Sequence, residues 1–345
     1  MRKILLTLCF SFLIADFACA KHTHGSTITN GRENSSATLR QGDLLELGDT
    51  YIRKNTHLKA DIRCKQFDQI DIGRGIGMYQ GYHIVITQDS LFLHQCLSKD
   101  TIIYRNHHGL TPQNRLTVSI DYTTGNTASL VLKSKGKQHT EDIRWWAGGK
   151  PFLQNLGEKE IDCTLSFTPS DCQHSIWIIG DSYINWLTPM RWPYYLFQQG
   201  YQSWMADHIP GGHSDLMLQA FKHDLRFGCP KFAVWTLGMN DASDKDAPNA
   251  KWLSCVQEFL SLCRQNGIIP ILSTIPSVPN RNHRFKSAWV RQSGVRYIDF
   301  SAAVSDNDAP QWFPDMLYKD MVHPSAKGAQ ALAERVLEDL PEIKY

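Results

Sequence analysis

No two cysteines in this chain are spaced CxxC, which removes the usual zinc-ribbon and dithiol-redox patterns. No block of like charge is present either: 36 lysines and arginines nearly balance 34 aspartates and glutamates, for a formal net charge of +2. So even a surface gives no electrostatic footprint for nucleic acid or for an anionic membrane. Beyond the first twenty residues no apolar run is long enough to span a bilayer, and there is neither an internal repeat nor a low-complexity tract. What remains is ordinary for a folded globular protein, with 42% hydrophobic and 20% charged residues. A length of 345 residues leaves room for two domains.

The first residues carry a signal of their own. Arg2 and Lys3 precede an apolar stretch from Ile4 to Ile14, and Ala18-Cys19-Ala20 supplies a small-x-small cleavage site. Charge, short apolar core and small residues in that order read as a secretory signal peptide over residues 1–20. The expectation is a secreted or periplasmic protein beginning near Lys21, with no integral membrane segment. The alternative is a lipoprotein anchored at Cys19, which Asp16 and Phe17 upstream make a poorer fit. Of the nine cysteines, Cys9 and Cys19 belong to this leader, and the odd number left cannot all pair within one chain. Export permits disulfides. Cys163 and Cys172 are spaced to close a short loop, whereas Cys255 and Cys263 lie on an expected helix as buried, unpaired thiols.

The remainder divides into two rhythms. From about Thr38 to Thr168 the pattern has period two: Leu116, Val118, Ile120 and Tyr122 alternate with polar residues, turn through Thr123 to Asn126, and return at Leu130 and Leu132. Tyr82 to Ile86 and Leu91 to Leu93 read as a second hairpin joined through Gln88 and Asp89. Alternation with closely spaced turns predicts an antiparallel β-sandwich, jelly-roll-like, over residues 21–172. After Ser175 the strands become short continuous apolar runs: Ile176 to Ile179, Phe232 to Trp235, Ile268 to Leu272 and Val295 to Ile298. Runs of that kind suit strands buried on both faces. Helical patterns lie between them, at Trp252 to Gly267 and finally at Ala326 to Leu340. Strand, helix, strand, helix predicts an α/β domain with a parallel sheet over residues 173–345, the boundary falling near Ser170 to Gln173.

In open α/β sheets the chemistry gathers at the carboxyl ends of the strands. The first such end is Gly180-Asp181-Ser182, where a serine on a tight turn exposes its hydroxyl; taken alone, the same Asp and Ser read rather as the cap of the next helix. The next is Gly238-Met239-Asn240-Asp241, in which an Asn amide can donate into a cleft as an oxyanion hole requires; alone it also reads as a turn. Between them, Pro210-Gly211-Gly212-His213 is a loop whose glycine frees a backbone N–H for a ligand. Asp320-Met321-Val322-His323-Pro324 stands just before the last helix. An Asp and a His three apart on a loop can both serve a serine elsewhere, the carboxylate orienting the imidazole. With 14 histidines in the chain any single one is unremarkable, so the order of the four blocks carries the signal.

That order closely resembles the four signature blocks of the SGNH hydrolases, the GDSL-like lipases and esterases, from about Ser175 onward. Tyr183 stands where the GDSL name expects leucine, and Met321 and Val322 replace commoner small residues. The resemblance implies a flavodoxin-like three-layer catalytic domain. It also implies Ser182 as nucleophile, His323 as base and Asp320 as its orienting acid, with the Ser182 N–H, the Gly211 N–H and the Asn240 amide as oxyanion hole. Gly212 is the alternative to Gly211. No cofactor or metal is implied. Export, a β-sandwich and a family rich in carbohydrate deacetylases suggest an acetylated poly- or oligosaccharide as substrate. An O-acyltransferase, or a lipase or thioesterase, using the same triad is the alternative. Trp186, Trp192, Trp145 and Trp146 are expected either to stack on sugar rings or to pack in the core. Arg281, His283 and Arg284 are placed on a loop near the site, where they are expected either to be an ordinary solvated loop or to meet an acidic sugar. The oligomeric state is not legible.

Overall fold

In the computed structural model, residues 22–23, 26–29, 32–47, 56–74, 81–96, 100–110, 112, 114–122, 127–144, 150–184 and 188–345 are described. The expected signal peptide, the turn at 123–126 and Trp145, Trp146 and Trp186 lie outside them.

Fourteen strands precede residue 170 among the described residues. They are β1 (His22–Thr23), β2 (Thr27–Thr29), β3 (Arg32–Leu39), β4 (Leu44–Glu46), β5 (Thr56–Cys64), β6 (Ile70–Arg74) and β7 (Gly81–Ile86), followed by β8 (Ser90–Cys96), β9 (Asp100–His107), β10 (Asn114–Tyr122), β11 (Thr127–Ser134), β12 (Lys137–Arg144), β13 (Pro151–Asn155) and β14 (Ile161–Pro169). One sheet has the order β1-β4-β13-β6-β7-β8-β9, the other β12-β11-β10-β5-β14-β3-β2. All pairings are antiparallel except the two-residue β1–β4 contact. Period-two alternation puts Leu116, Val118 and Ile120 of one sheet and Ile70, Ile72 and Ile84 of the other into a single shared core. Both expected hairpins form, β7 with β8 and β10 with β11.

The rhythm changes after a 3₁₀ turn at Ser170–Gln173. Five strands follow: β15 (Ile176–Gly180), β16 (Trp204–His208), β17 (Phe232–Trp235), β18 (Ile269–Ser273) and β19 (Tyr297–Ile298). They form a wholly parallel sheet in the order β16-β15-β17-β18-β19, so the strand order reverses beside β15. Every residue of β15, β16 and β17 is buried; the continuous apolar runs of β15 and β17 suit strands covered on both faces, and β16 buries Asp207 and His208 as well. The helices are α1 (Trp192–Gln198), α2 (Ser214–Asp224), α3 (Ala250–Gln265), α4 (Arg284–Gln292), α5 (Phe300–Val304) and α6 (Ala326–Asp339). α6 packs on α1 and α5, and α2 on α3, which gives two helical groups. The second core collects Trp177, Trp204, Trp235, Phe221 and Phe259.

Several expectations need correction. Trp192 is fully buried and packs on Phe300 at 5.7 Å between ring centres, so it is a core residue and no sugar platform. Cys163 and Cys172 lie in different cores, the first in the sandwich core and the second in the α/β core beside Met205, and no disulfide joins them. Cys255 and Cys263 are buried and unpaired, as expected. His283 is wholly buried and Arg284 opens α4, so of the three basic residues placed on a loop only Arg281 reaches the cleft.

Candidate active site

The carboxyl end of β15 is where the sheet's topology opens a crevice. β15 ends at Gly180, where an added Cβ would lie 2.3 Å from Thr236 Oγ1, so only glycine lets the turns after β15 and β17 approach this closely. Asp181 follows, fully buried, and its carboxylate accepts the Tyr183 N–H at 3.0 Å, closing the turn that presents Ser182. Tyr183 buries its ring below this turn and donates its hydroxyl to the Val322 carbonyl, which ties the serine turn to the loop before α6.

That loop is built around one carboxylate. Asp320 Oδ1 accepts the N–H groups of Val322 (3.0 Å) and His323 (2.9 Å), and Oδ2 lies 2.7 Å from His323 Nδ1. The wrap requires a left-handed φ of 60° at Met321, a conformation uncommon outside glycine. The Tyr318 N–H to His323 carbonyl bond (2.8 Å) and Ser325, which caps α6 at Gly328 N–H (3.2 Å), fix the loop at both ends. His323 Nε2 is then 2.8 Å from Ser182 Oγ. A serine hydroxyl and a carboxylate therefore occupy opposite nitrogens of one imidazole.

Electrostatics follow the geometry. Burial alone would raise the Asp320 pKa, but donation by His323 and Val322 outweighs it and holds the group at about 2. For His323, burial lowers the pKa below the ordinary histidine value more than Asp320 raises it, and the charges of Arg191 and Arg281 push the same way. The imidazole is thus neutral at neutral pH. Burial, reinforced by nearby Asp241 and opposed by the Tyr183 N–H, lifts Asp181 to about 7.

Gly211 and Asn240 line the same cleft, of about 420 Å³, together with Arg191, Pro210, Arg281 and Val322. Gly211 has φ +76°, and an added Cβ there would meet nothing within 4 Å. The Gly212 N–H is committed to the Ile209 carbonyl at 2.8 Å, so of the two glycines Gly211 is the one with an amide to offer. Asn240 is placed as expected but its amide is engaged, donating to Asp181 Oδ2 (3.1 Å) and to the Gly212 carbonyl (3.3 Å). One of these bonds must be shared or exchanged before Asn240 can serve an oxyanion. Arg191 escaped the sequence reading, because a lone arginine just ahead of a short helix carries no local signal. Among the described residues one group is spaced to hold a metal ion: His83, His94 and Asp100, on β7 to β9 of the sandwich rather than at the cleft. Its side chains pair with one another and, through His83, with Asp71.

No protein-family model matches the chain, and no curated protein matches it. Solved structures do. A GDSL-like lipase from Bacteroides thetaiotaomicron is 19% identical, with a TM-score of 0.38 over 50% of this chain and 90% of its own. The psychrotrophic esterase EstA from Pseudoalteromonas is 18% identical, with a TM-score of 0.40 over 48% and 96%. The acetylxylan esterase Axe2 from Geobacillus stearothermophilus is 18% identical, with a TM-score of 0.38 over 48% and 94%. What each of these acts on is a property of that protein.

Proposed function

We propose that this chain is an exported serine esterase that removes O-acetyl or other short acyl groups from a carbohydrate. The observation that carries the reading is the line Ser182 Oγ–His323 Nε2–Asp320, with 2.8 and 2.7 Å links on opposite ring nitrogens. Neutral His323 takes the Ser182 proton as Oγ attacks the ester carbonyl. The tetrahedral oxyanion is met by the Ser182 and Gly211 N–H groups, with Asn240 released from one of its present acceptors. Collapse returns the proton from His323 to the leaving alcohol oxygen and leaves an acyl-Ser182. Water, deprotonated by the same imidazole, then attacks the acyl carbon, and the proton goes back to Oγ as the acid departs. Asp320 holds the tautomer with Nδ1 protonated and stabilises the imidazolium.

The test is acetate release from 4-nitrophenyl acetate and from a panel of acetylated polysaccharides, wild type against Ser182→Ala. The expected result is turnover that falls roughly 10⁴-fold or more in the variant. A folded wild type that releases nothing, or a variant that retains turnover, contradicts the reading. Transfer of the acetyl group to an added sugar in place of water would favour an acyltransferase.

A further inference from the structure

The wall of the Ser182 cleft contains two guanidinium groups and one carboxylate, and that carboxylate is already spent. Asp320 is held by His323 and by two backbone N–H groups. Arg191 stands at the N-terminal boundary of α1; its Nη1 donates to the Met190 carbonyl at 2.9 Å, and its buried Nε has no acceptor among the described residues. Arg281 is fixed by a two-way backbone bridge to Val278 (3.0 and 2.9 Å), and its Nη1 donates to the Met239 carbonyl (3.0 Å) and to Asn240 Oδ1 (3.3 Å). Neither makes an ion pair with a carboxylate among the described residues. Other arginines of the same domain do: Arg291 takes Asp299 and Asp308, Arg296 takes Glu342, and Arg335 takes Asp339. Asp181 and Asp320 are within electrostatic range but are engaged elsewhere, and a partly buried guanidinium that no carboxylate pairs directly is costly unless an anion arrives to complete it. The planar donor fork matches carboxylates and phosphates bidentately, and a carboxylate is the anion that a sugar ring itself carries as a uronic acid.

We propose that Arg191 and Arg281 form an anion subsite of this cleft, and that the substrate carries a carboxylate on the sugar beside the scissile ester, as an O-acetylated uronic acid does. The proposal rests on the esterase reading for the position of the ester, but the subsite binds its carboxylate whether or not the ester is cleaved. The contact of Arg281 with Asn240 Oδ1 gives the two sites a direct link: an anion that draws Arg281 away weakens the hold on the Asn240 amide.

Two measurements separate the proposals. Binding of methyl glucuronide and of methyl glucoside to the wild-type chain is compared by calorimetry, without any turnover. The expectation is binding of the uronate alone, weakened tenfold or more by Arg281→Gln or Arg191→Gln and by raising the salt concentration. Arg281→Lys and Arg191→Lys, which keep charge but lose the fork, should recover only part of it. Turnover of matched mono-acetylated methyl glucuronide and methyl glucoside is then compared, and the preference for the uronate should lie mainly in KM. Equal binding of the two sugars, or binding indifferent to both arginines, overturns the subsite even if aryl acetates are hydrolysed. Preference for 4-nitrophenyl hemisuccinate over the acetate without preference for the uronate overturns its placement on the sugar. If a variant fails to fold, judged by its thermal transition, the wild-type comparison of the two sugars still decides. Loss of all turnover with uronate binding intact would remove the esterase reading and leave the subsite standing.

Discussion

Both halves of the molecule contain a serine, a histidine and an aspartate in mutual contact. In the sandwich, Ser90 Oγ lies 2.9 Å from His107 Nδ1, and Asp89 Oδ2 lies 3.9 Å from that same nitrogen. In the α/β half, Ser182 and Asp320 occupy opposite nitrogens of His323. Only the second arrangement can pass a proton, because the carboxylate must fix one tautomer while the other nitrogen accepts from the hydroxyl. Exposure differs as well. The His107 side chain is 82% exposed at a hairpin end, whereas that of His323 is 24% exposed in a cleft that Gly211 and Asn240 also line. Composition and contact are shared by the two groups; position on the sheet and choice of ring nitrogen separate them.

The largest effect that sharpens this comparison is Asp320→Asn. The amide can still accept the two backbone N–H groups but cannot hold the tautomer, so kcat should fall by roughly 10³–10⁴ while the melting temperature barely moves. Asp71→Asn beside His83 in the sandwich should do the reverse, shifting the melting temperature and leaving kcat within error. Equal loss of turnover in both would erase the distinction drawn between the halves.

A second prediction concerns pH. In the proposed mechanism His323 acts when neutral, and its pKa lies below the ordinary 6.5, chiefly through burial. The acid limb of kcat/KM should therefore fall below pH 6.5, with a plateau above. Arg191→Gln removes a charge that lowers this pKa, so the limb should move to higher pH. A limb above 7 in the wild type would contradict the assignment.

Stability should depend on pH in opposite senses at two other histidines. His283 is buried neutral, its pKa pushed down to about 3 by burial and by Lys286. The unfolded chain gains a proton there as pH falls below 6.5 and the folded one does not, so stability declines from 6.5 toward 3. His223 has its pKa raised to about 9: burial opposes the charged form, but Asp224 and Glu33 overcome it. Glu33 belongs to β3, 3.3 Å from the His223 ring. That contribution is complete below pH 6.5 and is lost as pH rises through 9. Denaturant titrations of His283→Gln and His223→Gln should each flatten one flank of the stability curve, the acid and the alkaline respectively. The smallest effect is Ser90→Ala, expected to cost no more than about 1 kcal/mol in denaturant unfolding and nothing in turnover.

Most of the sandwich and most of the parallel sheet were legible because their strands follow period two or run apolar without interruption. β16 was not, since Asp207 and His208 break the apolar run of Trp204 to Ala206 even though both are buried. α4 was hidden for a similar reason: its inner face includes Lys286, which is fully buried and pairs with Asp244 at 3.1 Å, so hydrophobic periodicity understates it. The order of Ser182, Gly211, Asn240, Asp320 and His323 could be read from the residues. The engagement of the Asn240 amide could not, because it depends on how closely Asp181 and the Gly212 carbonyl approach.

The central claim is that Ser182 is a nucleophile activated through His323. Its most direct test is labelling with an alkyl fluorophosphonate, followed by intact-mass and peptide mass spectrometry. One adduct per chain, mapped to Ser182 and abolished in His323→Ala, is the predicted result. No adduct on the folded protein, or an adduct at another serine such as Ser90, would contradict it.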